Sequence, residues 1–258
     1  MFVDQMVQNM KKLENKVALV TGASKGIGAA IAKKLAEDGA AVVVNFASSQ
    51  SDAEKVVQSI IENGGQATAI QGDVANAADV KKILAGTVEA YGKIDILVNN
   101  AGVYDWGPLE SVTEEGFHRQ FNINVLGLLL ASQRAVTYFG EAGGNIVNIG
   151  SAVSTSQPAG SVVYTATKSA VDSITRVLSK ELGAKKIRVN SVNPGVVDTE
   201  GSRAGGFIGG EMEKVFVGMT PLSRVGTPED IAQVTSFLCS DEAGWLTGEI
   251  ITASGGLR

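Results

Sequence analysis

Lys16-Val17-Ala18-Leu19-Val20-Thr21-Gly22-Ala23-Ser24-Lys25-Gly26-Ile27-Gly28 decides the fold. Its unbroken apolar run reads as a strand buried on both faces. The chain then turns through Gly22, Gly26 and Gly28 into a helical pattern over residues 26–38 that stops at Gly39. A turn of this kind brings backbone close to a pyrophosphate where a Cβ would collide. The helix it opens offers unpaired N–H groups and the positive end of its dipole. No Gly-Lys-Ser/Thr follows, which excludes the other common phosphate loop. Strand, loop and helix together point to a dinucleotide.

The same alternation continues outward. Short Val/Ile/Leu runs at residues 16–20, 41–46, 67–71, 94–98, 145–149, 187–192 and 249–252 read as strands. Helical periodicity fills the intervals through residue 63, over 77–91, through 139, over 162–182 and over 228–239, the last opened by Thr227 and Pro228. Strands without polar alternation, each followed by a helix, predict an α/β fold: one doubly wound parallel sheet of about seven strands. No linker, repeat or low-complexity tract divides the chain. Residues 1–14 read as an N-terminal extension and 15–258 as a single domain.

Composition narrows the function. Lys and Arg number 22 against 27 Asp and Glu, a formal charge of −5, a poor match to nucleic acid. One cysteine, Cys239, and one histidine, His118, exclude an internal disulfide, a thiolate cluster and a His-rich metal site, so no metal is expected. A nearly Cys-free chain suits a reducing compartment, and a cytoplasmic location is expected. The longest apolar run, residues 125–131, falls far short of the ~20 residues that span a bilayer, so no membrane partner is expected. The first 14 residues lack a basic start followed by an apolar block. With 31 glycines and only 5 prolines, the chain favours tight strand-to-helix turns over disorder.

Chemistry enters with Tyr164 and Lys168, four apart on a predicted helix and so on one face. No other tyrosine here has a lysine four residues on. A phenol titrates near 10 and needs a neighbouring cation to exchange protons at neutral pH. Ser151 follows the strand at 145–149, at the carboxyl edge of the sheet where ligands bind in open α/β folds.

Together these motifs resemble the short-chain dehydrogenase/reductase family, in its single-domain, Rossmann-type branch, over nearly the whole chain. Asp73-Val74 matches the family's adenine-contacting pair, and Asn99-Asn100-Ala101-Gly102 the segment bordering the adenine ribose. Asn193-Pro194-Gly195 matches the turn beside the nicotinamide, and Thr199 the residue that bonds the carboxamide. The resemblance implies cofactor contacts at Gly22, Ser24, Lys25, Gly26, Ile27, Gly28, Phe46, Ala47, Ser48, Asp73, Val74, Asn100, Ala101, Gly102, Pro194, Gly195, Val197 and Thr199, with Tyr164 and Lys168. It also implies catalytic roles: Tyr164 as acid/base, Lys168 lowering its pKa and holding the ribose, Ser151 orienting the carbonyl. The asparagine supporting a proton-relay water falls on Asn124, preferred over Asn122 because Val-Leu-Gly follows it as in the family.

The second strand ends on Phe46, where an NAD-selective protein carries an acid, and no carboxylate appears before Asp52. Lys25 in the loop, with Ser48 and Ser49, suits a 2′-phosphate; one charge-assisted bond is worth roughly 1.5–3 kcal/mol. NADP(H) is the expected cofactor. Val103, Tyr104, Trp106, Val153, Phe207, Ile208, Met212, Val215 and Phe216 give the substrate side an apolar character. Gly201, Gly205, Gly206, Gly209 and Gly210 mark residues 196–219 as a lid, within which Arg203 offers a carboxylate contact. The expected partner is a small molecule, an apolar or aromatic ketone or a β-keto ester.

A 3-oxoacyl-carrier-protein reductase is the nearest rival. Such enzymes need cations to dock an acidic carrier, and Glu141-Ala142-Gly143-Gly144 supplies none, leaving Lys185 and Lys186 as substitutes. A sugar dehydrogenase stays open, as does a non-catalytic NADP-binding regulatory protein. The helix at 162–182 is apolar on more than one side and wants a second partner. The family's habit of pairing through it implies a homotetramer. Ala253-Ser254-Gly255-Gly256 departs from the family pattern, which has Asp before the glycine pair.

Overall fold

The computed structural model describes residues 11–257; most of the expected N-terminal extension, residues 1–10, lies outside the described residues. Seven strands form one parallel sheet: β1 (Val17–Val20), β2 (Ala41–Phe46), β3 (Gln66–Gln71), β4 (Ile96–Asn99), β5 (Gly144–Ile149), β6 (Ile187–Pro194) and β7 (Ile250–Ala253). Their order is β3-β2-β1-β4-β5-β6-β7, and every neighbouring pair is parallel. The chain steps outward from β1 to β3, then crosses back to lay β4 on β1's free side. The loops after β1 and β4 therefore diverge and open a crevice at the carboxyl edge.

The helices are α1 (Gly26–Glu37), α2 (Gln50–Glu62), α3 (Ala77–Tyr91), α4 (Glu114–Phe121), α5 (Gly127–Val136), α6 (Val153–Ser156), α7 (Val162–Leu182), α8 (Glu200–Ala204), α9 (Glu211–Met219) and α10 (Pro228–Cys239). Successive strand residues point to opposite faces. Ala18 and Val20 of β1 join Ile31 and Leu35 of α1 and Leu238 of α10 in one core. Leu19, between them, faces Leu84 of α3, Ala131 of α5 and Leu182 of α7 in the other. All of these except Leu182 are essentially unexposed, and truncating one such leucine to alanine removes roughly 2–5 kcal/mol.

Residues 11–14 belong to this body. Leu13 is fully buried, and its N–H donates to the Asp38 carbonyl at 2.8 Å. The expected helical stretch ending at 139 is broken. An extended loop follows Asn99, Thr113 caps α4 by accepting from the Gly116 N–H at 3.1 Å, and one wide, π-type turn at Asn122–Leu126 separates α4 from α5. The glycine-rich stretch holds two helices, α8 and α9, neither of which buries a side chain. Thr227 and Asp230 cap α10 reciprocally: Thr227 N–H donates to Asp230 Oδ2 at 2.7 Å, and Asp230 N–H to Thr227 Oγ1 at 3.3 Å. No helix among the described residues is long and apolar enough to cross a membrane.

Candidate active site

The glycine loop sits where β1 and β4 part. Gly22 and Gly26 adopt φ of +60° and +53°, the left-handed region that glycine reaches without strain. The Asn100 amide donates to the carbonyls of Thr21 at 2.9 Å and Gly22 at 3.0 Å, filling the space that a side chain at Gly28 would need. Thr21 Oγ1 accepts from the N–H groups of Asn100 and Ala101 at 3.0 and 3.1 Å. The first and fourth loops are thus stitched into one floor.

Asn45, buried in β2, extends the stitching. Its Oδ1 accepts from Gly22 N–H at 3.3 Å, and its Nδ2 donates to the carbonyls of Ile70 and Gly72 at 3.2 and 3.0 Å. An asparagine inside Val-Val-Val-Asn-Phe is a polar residue where packing wants none, and that anomaly was its only sequence signal.

Several expected cofactor residues are placed differently from the reading of their side chains. The Phe46 ring is buried in the core, so only its backbone reaches the edge where a ribose would lie. Val74 and Val197 are likewise buried. Lys25 is not a free cation: its ammonium pairs with Asp52 at 2.9 Å, and Asp52 also takes Lys55 at 3.1 Å. That pairing raises the Lys25 pKa and lowers that of Asp52. Ala47, Ser48 and Asp73 are exposed along the carboxyl edge, Ser24 and Ile27 are half-buried in the loop, and Gly195 packs against Ser254. Thr199 turns its methyl to Gly26, where a Cβ would stand 3.3 Å away, while its hydroxyl caps α8 by accepting from Ser202 N–H at 3.1 Å.

Tyr164, Lys168, Ser151 and Asn124 come together across the crevice. Tyr164 and Lys168 occupy one face of α7, with the lysine Nζ 5.7 Å from the phenol ring centre. Lys168 is buried and donates to the Ile149 carbonyl, at the end of β5, at 2.8 Å. Asn124 is buried in the wide turn, whereas Asn122 is exposed. Asn124 accepts from Val103 N–H and donates to Val103 O, both at 2.8 Å, and donates to Thr167 Oγ1 at 3.1 Å. Gly102 links the set, since a Cβ there would lie 3.5 Å from Asn124 Oδ1 and 3.6 Å from Lys168 Nζ.

Electrostatics follow from burial. The lowering expected from Lys168 does not set the Tyr164 phenol: desolvation pushes it up to about 12, and the Ser151 hydroxyl, not the lysine, pulls it the other way. Desolvation pulls Lys168 down to about 8, opposed by the charge of Asp172.

Asp172, one turn beyond Lys168, is also buried and accepts from Asn193 Nδ2 at 2.9 Å. The same amide nitrogen lies 3.2 Å from the Ser151 carbonyl and 3.2 Å from Ser154 Oγ, and Asn193 Oδ1 accepts from Ser191 Oγ at 2.7 Å. The helix carrying the phenol is thereby braced to the turn carrying Ser151. Neither Asp172 nor this use of Asn193 was visible in the sequence, because the pairing spans two distant segments.

The pocket's other expectations divide. Tyr104 lies against Tyr164 and Phe207, and Phe207 in turn meets Trp106 and Phe216. Val153 is half-buried on α6 and Ile208 half-buried after α8, while Met212 and Val215 stand exposed on α9. Arg203 is not available to a carboxylate: Asp198 holds its guanidinium through two bonds, 2.7 and 2.8 Å. Lys185 and Lys186 precede β6 and so lie at the amino edge of the sheet, away from the crevice.

Comparison with known proteins agrees with this architecture. The family described as "Enoyl-(Acyl carrier protein) reductase" matches residues 22–258. An uncharacterized oxidoreductase of Methylorubrum extorquens is 54% identical, covering 96% of this chain and 100% of its own. Versicolorin reductase 1 of Aspergillus parasiticus is 41% identical over 95% of this chain and 97% of its own. The solved angucycline C-6 ketoreductase LanV, with bound NADP, superposes with a TM-score of 0.89 at 38% identity, covering 95% and 96%. The chain belongs to the short-chain dehydrogenase/reductase family, whose members are oxidoreductases.

Proposed function

We propose that this protein is an NADP(H)-dependent ketoreductase that converts a ketone of a small, largely apolar molecule to a secondary alcohol. The observation that carries the reading is the convergence of Tyr164, Lys168, Ser151 and Asn124 on the crevice beside the glycine loop. The residues present fit the cofactor: Gly22 and Gly26 are held in left-handed turns, and a side chain at Gly28 would close the cradle against Asn100. NADP over NAD is supported by the absence of a carboxylate at the end of β2 and by the NADP-bound relative. A 2′-phosphate would draw Lys25 from Asp52.

When bound, NADPH supplies the hydride. Tyr164, protonated at every ordinary pH, donates its proton to the ketone oxygen. Ser151 donates a hydrogen bond to the same oxygen and takes up its developing charge. The Lys168 cation stabilises the phenolate that remains and holds the ribose. Asn124 fixes the loop that carries Tyr104 and, as the family resemblance implies, supports the water route that returns a proton to Tyr164.

The charges at the mouth disfavour an acyl-carrier substrate, the reading suggested by the matching family's description. Arg119 pairs with Asp105, Arg203 with Asp198 and Lys214 with Glu211, which leaves little for an acidic carrier to dock on. The test is NADPH consumption with a β-keto ester beside a carrier-linked 3-oxo substrate. Turnover of the free ester at a comparable or better rate is expected, and Tyr164→Phe should lower it by on the order of 10²–10⁴. Tight NADPH binding without turnover would instead make the chain a non-catalytic binding protein.

We also propose a homotetramer in a reducing, cytoplasmic setting. Exposed Phe117, Leu126, Leu129, Val162 and Val177 mark one apolar face around α7, and Met219, Leu222 and Trp245 expose another region near the C-terminus. Light scattering should return four times the chain mass, and a monomer would refute it.

A further inference from the structure

Lys25 is the one cation of the glycine loop, and it is already engaged. It stands at the start of α1 with its ammonium 2.9 Å from Asp52 of α2, the first carboxylate after β2. Asp52 also takes Lys55 at 3.1 Å. One carboxylate is thus shared between the cofactor loop and its own helix.

The two lysines are unequal partners. Asp52 and Lys55 are three residues apart, so α2 alone keeps that pair. Lys25 reaches Asp52 from another element and is the looser half, its side chain 51% exposed against 28% for Asp52. Asp52 occupies the first turn of α2, where the helix dipole favours a negative charge. Lys25 first, and then Lys55, hold its carboxyl below the usual range, so it is ionised at every working pH. A fixed anion therefore faces a cation that can swing. A pair this exposed adds little to stability, and Lys25 changes partners at small cost.

We propose that Asp52 sets the cofactor preference by competing with a 2′-phosphate for Lys25, which keeps that preference below what the lysine alone would give. The proposal rests on the NADP(H) reading and names the residue that tempers it. A 2′-phosphate that takes Lys25 leaves Asp52 to Lys55, so the exchange strands no charge. Its gain is only the difference between two ion pairs, reduced by the repulsion of phosphate and carboxylate. A ribose 2′-hydroxyl offers no such rival charge, and the Lys25–Asp52 pair stays closed.

Adenosine 2′,5′-bisphosphate and adenosine 5′-monophosphate differ only by the 2′-phosphate. Calorimetric titration of the whole chain with each isolates that group without any turnover. The ratio of the two affinities should rise about fivefold in Asp52→Asn. It should fall in Lys25→Met, and adding Asp52→Asn to that variant should bring no recovery, because the competition acts through Lys25. An unchanged ratio in folded Asp52→Asn, a ratio untouched by Lys25→Met, or the same rise with Lys25 absent overturns the competition. A parent chain that binds both nucleotides alike, while Asp52→Asn favours the bisphosphate, would remove the NADP(H) reading and leave the competition standing.

Discussion

Lys168 is 5% exposed, yet among the described residues no carboxylate lies within salt-bridge reach of it. Its ammonium is held by one backbone carbonyl and by the field of Asp172, the single charge that raises its pKa against burial. Below about pH 8 the amine carries its proton, and above that pH it loses it. Tyr164, at about 12, stays protonated throughout that range. An alkaline limb in kcat/KM near pH 8 therefore belongs to Lys168, and activity falls as pH rises through it. Asp172→Asn keeps an oxygen for Asn193 but removes the charge, so the limb should move to lower pH. A variant that lost rate while its limb stayed in place would show that Asp172 acts only as structure.

At the scale of elements, legibility in the sequence followed locality. The seven strands were readable because each is a short apolar run, and their ends moved by only one or two residues, as where β6 runs on through Pro194 and β7 through Ala253. Asp95, for example, delays β4 to Ile96–Asn99, its Oδ2 accepting from Val17 N–H at 2.7 Å. The wide turn at Asn122–Leu126 was not readable, because it places Asn124 against the backbone of Val103, a contact between separate segments. Nor were α8 and α9, where glycine masked a local signal that was present: Thr199 and Ser202 form a reciprocal cap. In the site, Tyr164, Lys168, Ser151 and Asn124 converge, while the side chains of Phe46, Val74 and Val197 turn into the core. The partners of the motif residues did not show, since Asp52 beneath Lys25 and Asp172 beneath Asn193 are products of folding.

Taken whole, the molecule is a rigid sheet with one lightly attached segment. β6 and β7 pair in register from Ser191↔Ile250 to Pro194↔Ala253, and α10 packs on α1, so the chain on both sides of the lid is anchored in the core. Between those anchors no residue of α8 or α9 is fully buried, and only a few, such as Phe216, are half-buried. A protease meets that difference directly. Arg203 and Lys214 have side chains 65% and 75% exposed, and the backbone around them can open without disturbing the sheet. Brief trypsin digestion should cut after these residues first, and early fragments ending at Lys180 or Lys185 would contradict this. The nicked chain should run as two pieces on a denaturing gel yet elute as one particle, because the smaller piece still supplies the sheet's last strand.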